Sequence, residues 1–243
     1  MGSWGFAASS KGWAGSPYVS DMDELTKEGL TSGTLVLAAH PNWRDSRVNV
    51  RLMEAARQTA GVQLRDLYGL YPDYDIDLQA EQAQAAAANL IVLLHPVQWY
   101  SMPALLKLWL DEVLTYGWAY GPGGTQLQGK DLWLVATTGG SEESYHPKGY
   151  NRYFFDAFLP PYEQTAALCG MRFLPPLLLH GAHRASPAEV ADHVEVFTDR
   201  LRTYPDWPEM DEIPPCPTCE VPTSDRPEPH PARAPGANPV RAA

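Results

Sequence analysis

The sequence predicts an α/β fold built on a parallel sheet, and three observations support this. Continuous apolar runs without strand-like alternation recur at 34–39 and 90–94, which is typical of strands buried on both faces, and a further strand is expected over 130–137. Helical spacing of apolar residues follows these runs, so strands and helices alternate. The 23 prolines cluster late in the chain, so the folded part is shorter than 243 residues.

The first half of the chain contains two strand-helix units. The strand at 34–39 leads into a helix that starts at Ser46, and a second strand is expected over 62–68. An alanine-rich helix follows over 78–89, where Asp77 is placed to cap its first turn.

The third strand is followed by an aromatic loop and then by a helix. His95 and Pro96 end the apolar run 90–94, and the sequence VQWY follows. Pro103 then opens a helix that runs to Tyr116, because a proline at the first helical position costs no hydrogen bond.

The second half of the chain repeats the alternation. A glycine-rich connection at 117–129 precedes the fourth strand, 130–137. A helix is expected over 152–169, broken by its two prolines, followed by a fifth strand over 171–180 and a last helix over 187–202.

These elements give three regions. Residues 34–204 form one folded domain of ordinary size, whereas 1–33 and the proline-rich segment 205–243 are expected to be disordered.

Charge and composition exclude several classes of protein. A net charge of -11 disfavours a nucleic-acid partner, because such binding depends on cationic side chains that contact phosphates. No apolar run reaches the roughly 18 to 20 residues of a membrane span, and the N-terminus lacks the pattern of a signal peptide. Three cysteines do not make a disulfide framework, so we expect a cytoplasmic protein.

Three loops should meet at the carboxyl edge of the sheet, where open α/β folds bind ligands: 40–49, 95–100 and 137–145. Ser46 and Asn49 lie where a helix begins, and free N–H groups at that point attract an anion such as a phosphate. Plain capping of the helix by Asp45 or Ser46 is the structural alternative.

The other two loops suit a planar heterocycle. Trp99 and Tyr100 offer rings for stacking, although paired aromatics often only cap a core. The turn at 137–140, TTGG, lets the backbone approach a ligand closely. A phosphate at one end and a heterocycle at the other describe flavin mononucleotide (FMN), and the lack of GxGxxG disfavours a dinucleotide fold.

Metal binding is disfavoured. His40 and His95 both precede proline at strand ends, with no carboxylate or cysteine at ligand spacing. Cys216 and Cys219 form one CxxC pair, but no second pair or βαβ context accompanies them.

Taken as a set, His40-Pro41 with Ser46 and Asn49, HPVQWYSMPALLKLW, GWAYGPGGTQLQGK and TTGG resemble the flavodoxin-like NAD(P)H:quinone oxidoreductases. Among these the chain looks most like the KefF-type ancillary proteins of glutathione-regulated potassium-efflux systems. The resemblance covers roughly residues 34–202. It implies a three-layer sandwich with a five-stranded parallel sheet in the order 2-1-3-4-5. It also implies FMN contacts at His40, Ser46, Arg47, Val48, Asn49, Val97, Gln98, Trp99, Tyr100, Thr137, Thr138, Gly139 and Gly140.

The activity implied by the resemblance is two-electron transfer, as hydride, from NAD(P)H through FMN to a quinone, with ping-pong kinetics. Tyr145 or His146 would donate a hydrogen bond or a proton to the quinone oxygen. The alternative is a regulatory subunit that docks on a potassium-efflux antiporter at the inner face of the membrane, with flavin chemistry secondary. A one-electron flavodoxin-type carrier is a weaker third hypothesis.

The resemblance also implies a homodimer. The helix 103–116 looks too apolar for a free surface, with Leu105, Leu108, Trp109 and the nearby Trp118 distributed around it. The alternative is that these residues fill the core of a single protomer.

Overall fold

The computed structural model describes residues 33–213. The expected N-terminal extension therefore lies almost wholly outside the described residues, as do Cys216, Cys219 and most of the proline-rich tail. Among residues 33–213, no helix is both long and apolar enough to cross a bilayer.

Within this part of the chain, one sheet of five strands is flanked by helices. The strands are β1 (Thr34–Ala38), β2 (Val62–Asp66), β3 (Leu90–Pro96), β4 (Asp131–Thr137) and β5 (Arg172–Leu179). The α-helices are α1 (Asn49–Gln58), α2 (Leu67–Leu70), α3 (Leu78–Ala87), α4 (Ala104–Val113), α5 (Pro160–Leu168) and α6 (Pro187–Thr203).

The sheet is entirely parallel and has the order β2-β1-β3-β4-β5, which confirms the expected fold. All side chains of β1 and β4 are buried, and so are those of β3 except its final proline. This explains why these segments read as continuous apolar runs, since helices cover both faces of the sheet. Pro175 and Pro176 lie in the edge strand β5, where the pairing with β4 shifts register.

Two cores, one on each face of the sheet, make the three layers. One face of the central strands, including Val36 and Val92, packs against α1 and α6. The other face, including Leu35 and Ile91, packs against α2 to α5. The alternation of side chains along each strand divides the apolar runs between these cores.

Two expected elements, one helix and one strand, have different bounds in the structure. The predicted helix over 152–169 begins only at Pro160, and residues 155–158 form a short 3-10 helix instead. Proline has no N–H to donate, so Pro160 and Pro161 fit a first turn and not a helix interior. The second strand ends early, because Asp66 accepts a hydrogen bond from the Gly69 N–H and caps the short helix α2.

The apolar side of α4 belongs largely to the protomer's own core. Leu105 and Trp109 are fully buried, and the Trp109 Nε1–H donates to the buried carboxylate of Glu81 at 2.7 Å. Leu108 and Trp118 are half-buried and pack against the same core. These four residues therefore give no support to the expected dimer interface.

The expected disorder from residue 205 onward is wrong for 205–213. Trp207 is buried, its ring centroid lies 4.9 Å from that of Trp133, and the Arg200 guanidinium lies 4.8 Å over its ring. The prolines around Trp207 do not prevent this packing, because a single large ring supplies enough apolar surface to hold the segment against α6.

Candidate functional site

A cavity of about 180 Å³ lies at the carboxyl ends of β1, β3 and β4, where the sequence predicted a site. It brings together most of the predicted binding residues: His40, Ser46, Arg47, Val48, Asn49, Val97, Thr137, Thr138 and Gly139. Gln98, Trp99, Tyr100 and Gly140 do not line it. Four further residues that the sequence reasoning did not propose for binding complete the lining: Asp45, Pro96, Ala182 and His183.

The start of α1 presents unused donors to this cavity. The Ser46 hydroxyl oxygen accepts from the Val50 N–H at 3.0 Å, in the first turn of α1, although the N-cap residue of the helix is Val48. The N–H groups of Arg47, Val48 and Asn49 donate to no acceptor within residues 33–213. Unpaired N–H groups at the positive end of a ten-residue helix form a site suited to an anion.

Asn49 is the most informative side chain in the cavity. It is 4% exposed, and its Nδ2 donates to the Thr137 hydroxyl at 2.8 Å. Its Oδ1 is buried without a hydrogen-bond partner in the described part of the chain. Buried amide oxygens are almost always paired, so this one indicates a donor supplied by a ligand or an ordered water.

Two charged side chains near the start of α1 are held by hydrogen bonds. The Arg47 guanidinium donates to the carbonyl oxygens of His183 at 2.7 Å and Ala185 at 3.3 Å, which fastens this loop to the segment after β5. The carboxylate of Asp45, the one acidic group among the lining residues, accepts from the Asn42 amide. Asp45 thus opposes an anion, whereas Arg47 and the helix dipole favour it.

His40 closes the side of the cavity next to β1. Its Nδ1 accepts from the Asn42 N–H at 3.1 Å, which leaves Nε2 as the protonated nitrogen of the neutral ring. Burial lowers the pKa of His40, and the Asp45 carboxylate opposes that shift. His40 is therefore a neutral hydrogen-bond donor at physiological pH.

The aromatic loop forms a tight turn. Gln98 and Ser101 exchange backbone hydrogen bonds of 2.9 and 3.0 Å, and both central residues have positive φ, 48° at Trp99 and 65° at Tyr100. This is the geometry of a type I′ turn, which normally uses asparagine and glycine. Trp99 is 93% exposed, so it does not cap the core, whereas Tyr100 packs its ring 5.3 Å from that of Phe158.

The TTGG turn contributes in two ways. A side chain added at Gly139 would meet no atom within 4 Å, so the backbone there faces open space. At Gly140 an added Cβ would come within 2.6 Å of the Ser144 hydroxyl, so this glycine is required for local packing. Only Gly139 therefore leaves the backbone open to a ligand.

The structure separates the two predicted catalytic residues. Tyr145 is 8% exposed and lies among the rings of Phe155, Phe158 and His180. His146 is exposed, packs against Phe154, and accepts from the Lys148 N–H. Neither Tyr145 nor His146 lines the cavity, and the structure does not bring the two side chains together.

His180, which the sequence did not single out, contacts Thr138 beside the cavity without lining it. It follows β5, its Nδ1 lies 3.0 Å from the Thr138 hydroxyl, and its ring centroid is 5.2 Å from that of Tyr145. Because the Thr138 hydroxyl donates to the Gly140 carbonyl at 2.7 Å, it accepts from His180. A signal was present, since His180 ends its strand just as His40 and His95 end theirs.

FMN fits the chemistry of this edge. A volume of about 180 Å³ is smaller than the ~300–1,000 Å³ of whole-ligand pockets, but it accommodates a phosphate and polyol chain. The N–H groups at α1 and the unpaired Asn49 Oδ1 match that polar end. A planar ring attached to that polar end would extend towards the open backbone at Gly139.

Other parts of the described structure suit this ligand less well. A cavity of about 380 Å³ beside the first half of β5 is lined by apolar residues and by Glu163, Glu209 and Glu212, so its charge repels an anion. Across residues 33–213 no group of three or more His, Cys, Asp or Glu side chains is arranged to hold a metal ion.

Comparison with known proteins agrees with this geometry. The flavodoxin-like fold family matches residues 32–203. The glutathione-regulated potassium-efflux system ancillary protein KefF of Citrobacter koseri is 49% identical over 146 residues, which cover 60% of this chain and 82% of that protein. The resemblance stated from the sequence is thereby confirmed.

Two solved structures extend the comparison. General stress protein 14 from Treponema denticola, in complex with FMN, is 36% identical with a TM-score of 0.66, over 70% of this chain and 97% of that one. An NADPH-quinone reductase from P. pentosaceus is 27% identical with a TM-score of 0.64, with the same coverage. The fold thus occurs in an FMN-binding protein and in a quinone reductase.

Proposed function

The chain belongs to the flavodoxin-like fold family, and on that basis we propose that it is an FMN-dependent NAD(P)H:quinone oxidoreductase. The observation that supports this most is the cavity at the start of α1, where unpaired N–H groups and the orphaned Asn49 Oδ1 meet the end of the TTGG strand. The FMN-bound and quinone-reductase relatives support the cofactor and the class of reaction.

The polar end of the cavity would hold the phosphate and ribityl chain. The N–H groups of Arg47, Val48 and Asn49 would donate to the phosphate, and the Ser46 hydroxyl keeps its own hydrogen for a further bond. Asn49 Oδ1 would accept from a ribityl hydroxyl, which would satisfy the buried oxygen. This binding requires no lysine, because the helix N-terminus supplies the donors.

Chemistry takes place on the open side of the site. When bound, FMN accepts a hydride from NAD(P)H and passes two electrons to a quinone. One pocket serves both substrates in turn, which gives ping-pong kinetics. The open backbone at Gly139 would allow N–H donation to the ring, and Val97 lines the same cavity.

Tyr145 is the group proposed to supply a hydrogen bond or proton to the quinone oxygen. Burial raises the pKa of the Tyr145 phenol. The phenol therefore remains protonated at neutral pH and acts as a donor. His146, which the sequence offered for the same role, is exposed and accepts the Lys148 N–H at Nδ1, so the proposal assigns the role to Tyr145.

Anaerobic absorption spectroscopy tests this function. FMN is first bound to the purified full chain, NADPH is then added, and a benzoquinone follows. We expect bleaching by NADPH, recovery on quinone addition, and parallel lines in steady-state double-reciprocal plots. Saturable FMN binding without bleaching by NADPH would refute the oxidoreductase activity and leave only FMN binding supported.

A second function rests on the 49% identity to KefF. In this alternative the chain is a regulatory subunit that docks on a potassium-efflux antiporter and resides in the cytoplasm at the inner face of the membrane. Co-purification with a co-expressed antiporter tests it. A variant that has lost flavin binding but still co-purifies would show that docking is independent of the chemistry.

The homodimer implied by family resemblance remains part of the proposal. In place of α4, the structure offers four exposed aromatic side chains in the loops that follow β3 and β4: Trp99, Tyr150, Tyr153 and Phe154. We propose that some of these side chains are covered in a dimer, because extended apolar surface is uncommon on monomers. Sedimentation equilibrium should give twice the chain mass, and substitution of Tyr153 and Phe154 by serine should give the monomer.

A further inference from the structure

Three consecutive N–H groups in the loop that follows β4 have no acceptor. Those of Gly139, Gly140 and Ser141 donate to no atom among residues 33–213. Gly139 lines the cavity, and a Cβ added there would meet nothing within 4 Å. Successive N–H groups in a turn attract electron-rich atoms of a ligand. What they can bind depends on how firmly the peptide planes that carry them are held.

The carbonyl groups of these peptide units are held by the segment that follows β5. The Thr138 carbonyl oxygen accepts from the Ala182 N–H at 2.9 Å, and the Gly140 carbonyl oxygen accepts from the Gly181 N–H at 2.8 Å. Both peptide units are trans, so each is planar with its C=O and its N–H on opposite sides. The two hydrogen bonds therefore set the directions of the N–H groups that share these planes.

The Thr138 side chain adds a third hydrogen bond to this arrangement. Its hydroxyl donates to the Gly140 carbonyl at 2.7 Å, so that oxygen accepts two hydrogen bonds. A hydroxyl has one hydrogen, so the 3.0 Å contact between Thr138 Oγ1 and His180 Nδ1 requires the ring to donate. If Nε2 carried the hydrogen instead, the hydroxyl would donate to Nδ1 and release the Gly140 carbonyl. The tautomer of His180 thus decides where the Thr138 hydrogen points.

The ring of His180 is neutral and held by packing. Burial lowers its pKa, against the opposing effect of the Glu142 and Glu143 carboxylates. The imidazole therefore carries one hydrogen at neutral pH. Its ring centroid lies 5.2 Å from that of Tyr145 and 5.3 Å from that of Phe155. Packing thus fixes where the ring lies, and the hydroxyl contact fixes its hydrogen on Nδ1.

We propose that His180, in its Nδ1–H tautomer, is a positioning residue that sets the turn from Thr138 to Gly140 before any ligand binds. It acts through the Thr138 hydroxyl and does not itself line the cavity. The inference rests on the proposed function and deepens it, because Thr138 and Gly139 line the cavity assigned to FMN. Donors that are fixed in advance need not be ordered by the ligand.

Two measurements on the full chain without flavin test this role. Imidazole ¹⁵N chemical shifts distinguish a protonated from an unprotonated ring nitrogen, and should place the hydrogen of His180 on Nδ1 at about pH 8. Hydrogen exchange at the Gly181 and Ala182 amides reports whether the turn is formed, because both amides donate to it. His180→Phe keeps a ring beside Tyr145 and removes the donor, so exchange at these amides should rise about fivefold or more.

Two further variants separate positioning from packing. His180→Asn keeps a side-chain N–H close to the place of Nδ1 but loses the ring, so exchange should stay within about twofold of wild type. Tyr204→Phe removes a hydroxyl bonded to Asp131 at the opposite end of β4, and should leave exchange at both amides unchanged. A ring that served only for packing would give the opposite order, with His180→Phe mild and His180→Asn severe.

Flavin binding supplies a further readout. His180→Phe should weaken FMN and riboflavin by the same factor, about fivefold, because the donors at the start of α1 are unchanged. A hydrogen on Nε2 in the wild type, unchanged exchange in His180→Phe, failure of His180→Asn to restore it, or a loss of affinity for FMN alone would overturn the proposal. Absence of saturable FMN binding by the wild type would count against the proposed function, while the chemical shifts and the exchange still decide the role of His180.

Discussion

Replacing both Asn49 and Thr137 should weaken FMN binding without lowering the free energy of unfolding of the flavin-free protein. In the flavin-free protein Asn49 makes one side-chain hydrogen bond, from Nδ2 to the Thr137 hydroxyl at 2.8 Å, and its buried Oδ1 has no partner among the described residues. That hydrogen bond contributes about 1 kcal/mol, while the unpaired oxygen costs about 1–3 kcal/mol. The pair therefore contributes little or nothing to the stability of the protein without its ligand.

The double variant Asn49→Leu with Thr137→Val follows from this balance. It replaces both polar partners with apolar groups of similar shape, a change that is nearly neutral or stabilising. We expect its free energy of unfolding to lie within about 1 kcal/mol of wild type or above it. Thr137→Val alone strands the whole Asn49 amide, and should cost about 1–3 kcal/mol.

Two assays measure these effects. Urea unfolding of the flavin-free proteins, at constant m-value, gives the stability order. Fluorescence titration with FMN should show at least tenfold weaker binding by the double variant, a loss of about 1.4 kcal/mol. Thr198→Val, which removes a threonine hydroxyl from α6, should leave FMN affinity unchanged. A double variant less stable than Thr137→Val, or one with wild-type FMN affinity, would refute the reasoning.

Three further predictions concern the body of the fold. Burial lowers the pKa of His95 from 6.5 to about 4. Its stabilising contribution is therefore complete above pH 6.5 and falls by about 3 kcal/mol as the pH drops to 4. His95→Gln should show a smaller loss in urea unfolding across that range, and an equal loss would contradict the assignment. Glu81→Leu should cost about 3 kcal/mol, because it strands the Arg65 guanidinium. Asp111→Asn, in an exposed ion pair, should cost less than about 1 kcal/mol in the same assay. Trp207→Ala should cost about 3 kcal/mol if residues 205–213 are part of the fold, and a thermal midpoint equal to wild type would contradict that packing.

The sheet and the edge that carries the site were predictable because strands buried on both faces give continuous apolar runs in the sequence. The runs at 34–39 and 90–94 are apolar on both faces, which is the pattern of strands in a parallel sheet that is covered on both sides. The loops that follow parallel strands necessarily meet at one edge. His40, Asn49 and Thr137 were therefore expected together before any coordinates were known.

What was missed depends on side-chain direction and on contacts between distant residues. Tyr145 and His146 are adjacent in sequence, yet one turns into an aromatic cluster and the other into solvent. His180 reaches Thr138 only because β5 lies beside β4, a pairing that spacing along the chain does not reveal. The burial of Trp207 was missed for a similar reason, because a proline-rich composition does not show that one side chain of the segment packs on the core.

An equilibrium titration of the purified full chain with FMN, compared with riboflavin, tests the central claim most directly. The two ligands share the ring and the ribityl chain and differ in the phosphate, which the N–H groups at the start of α1 are proposed to hold. We predict saturable binding of one FMN per chain at micromolar concentration or below, with riboflavin at least tenfold weaker. Equal affinity for the two ligands, or no saturable FMN binding, would contradict the account.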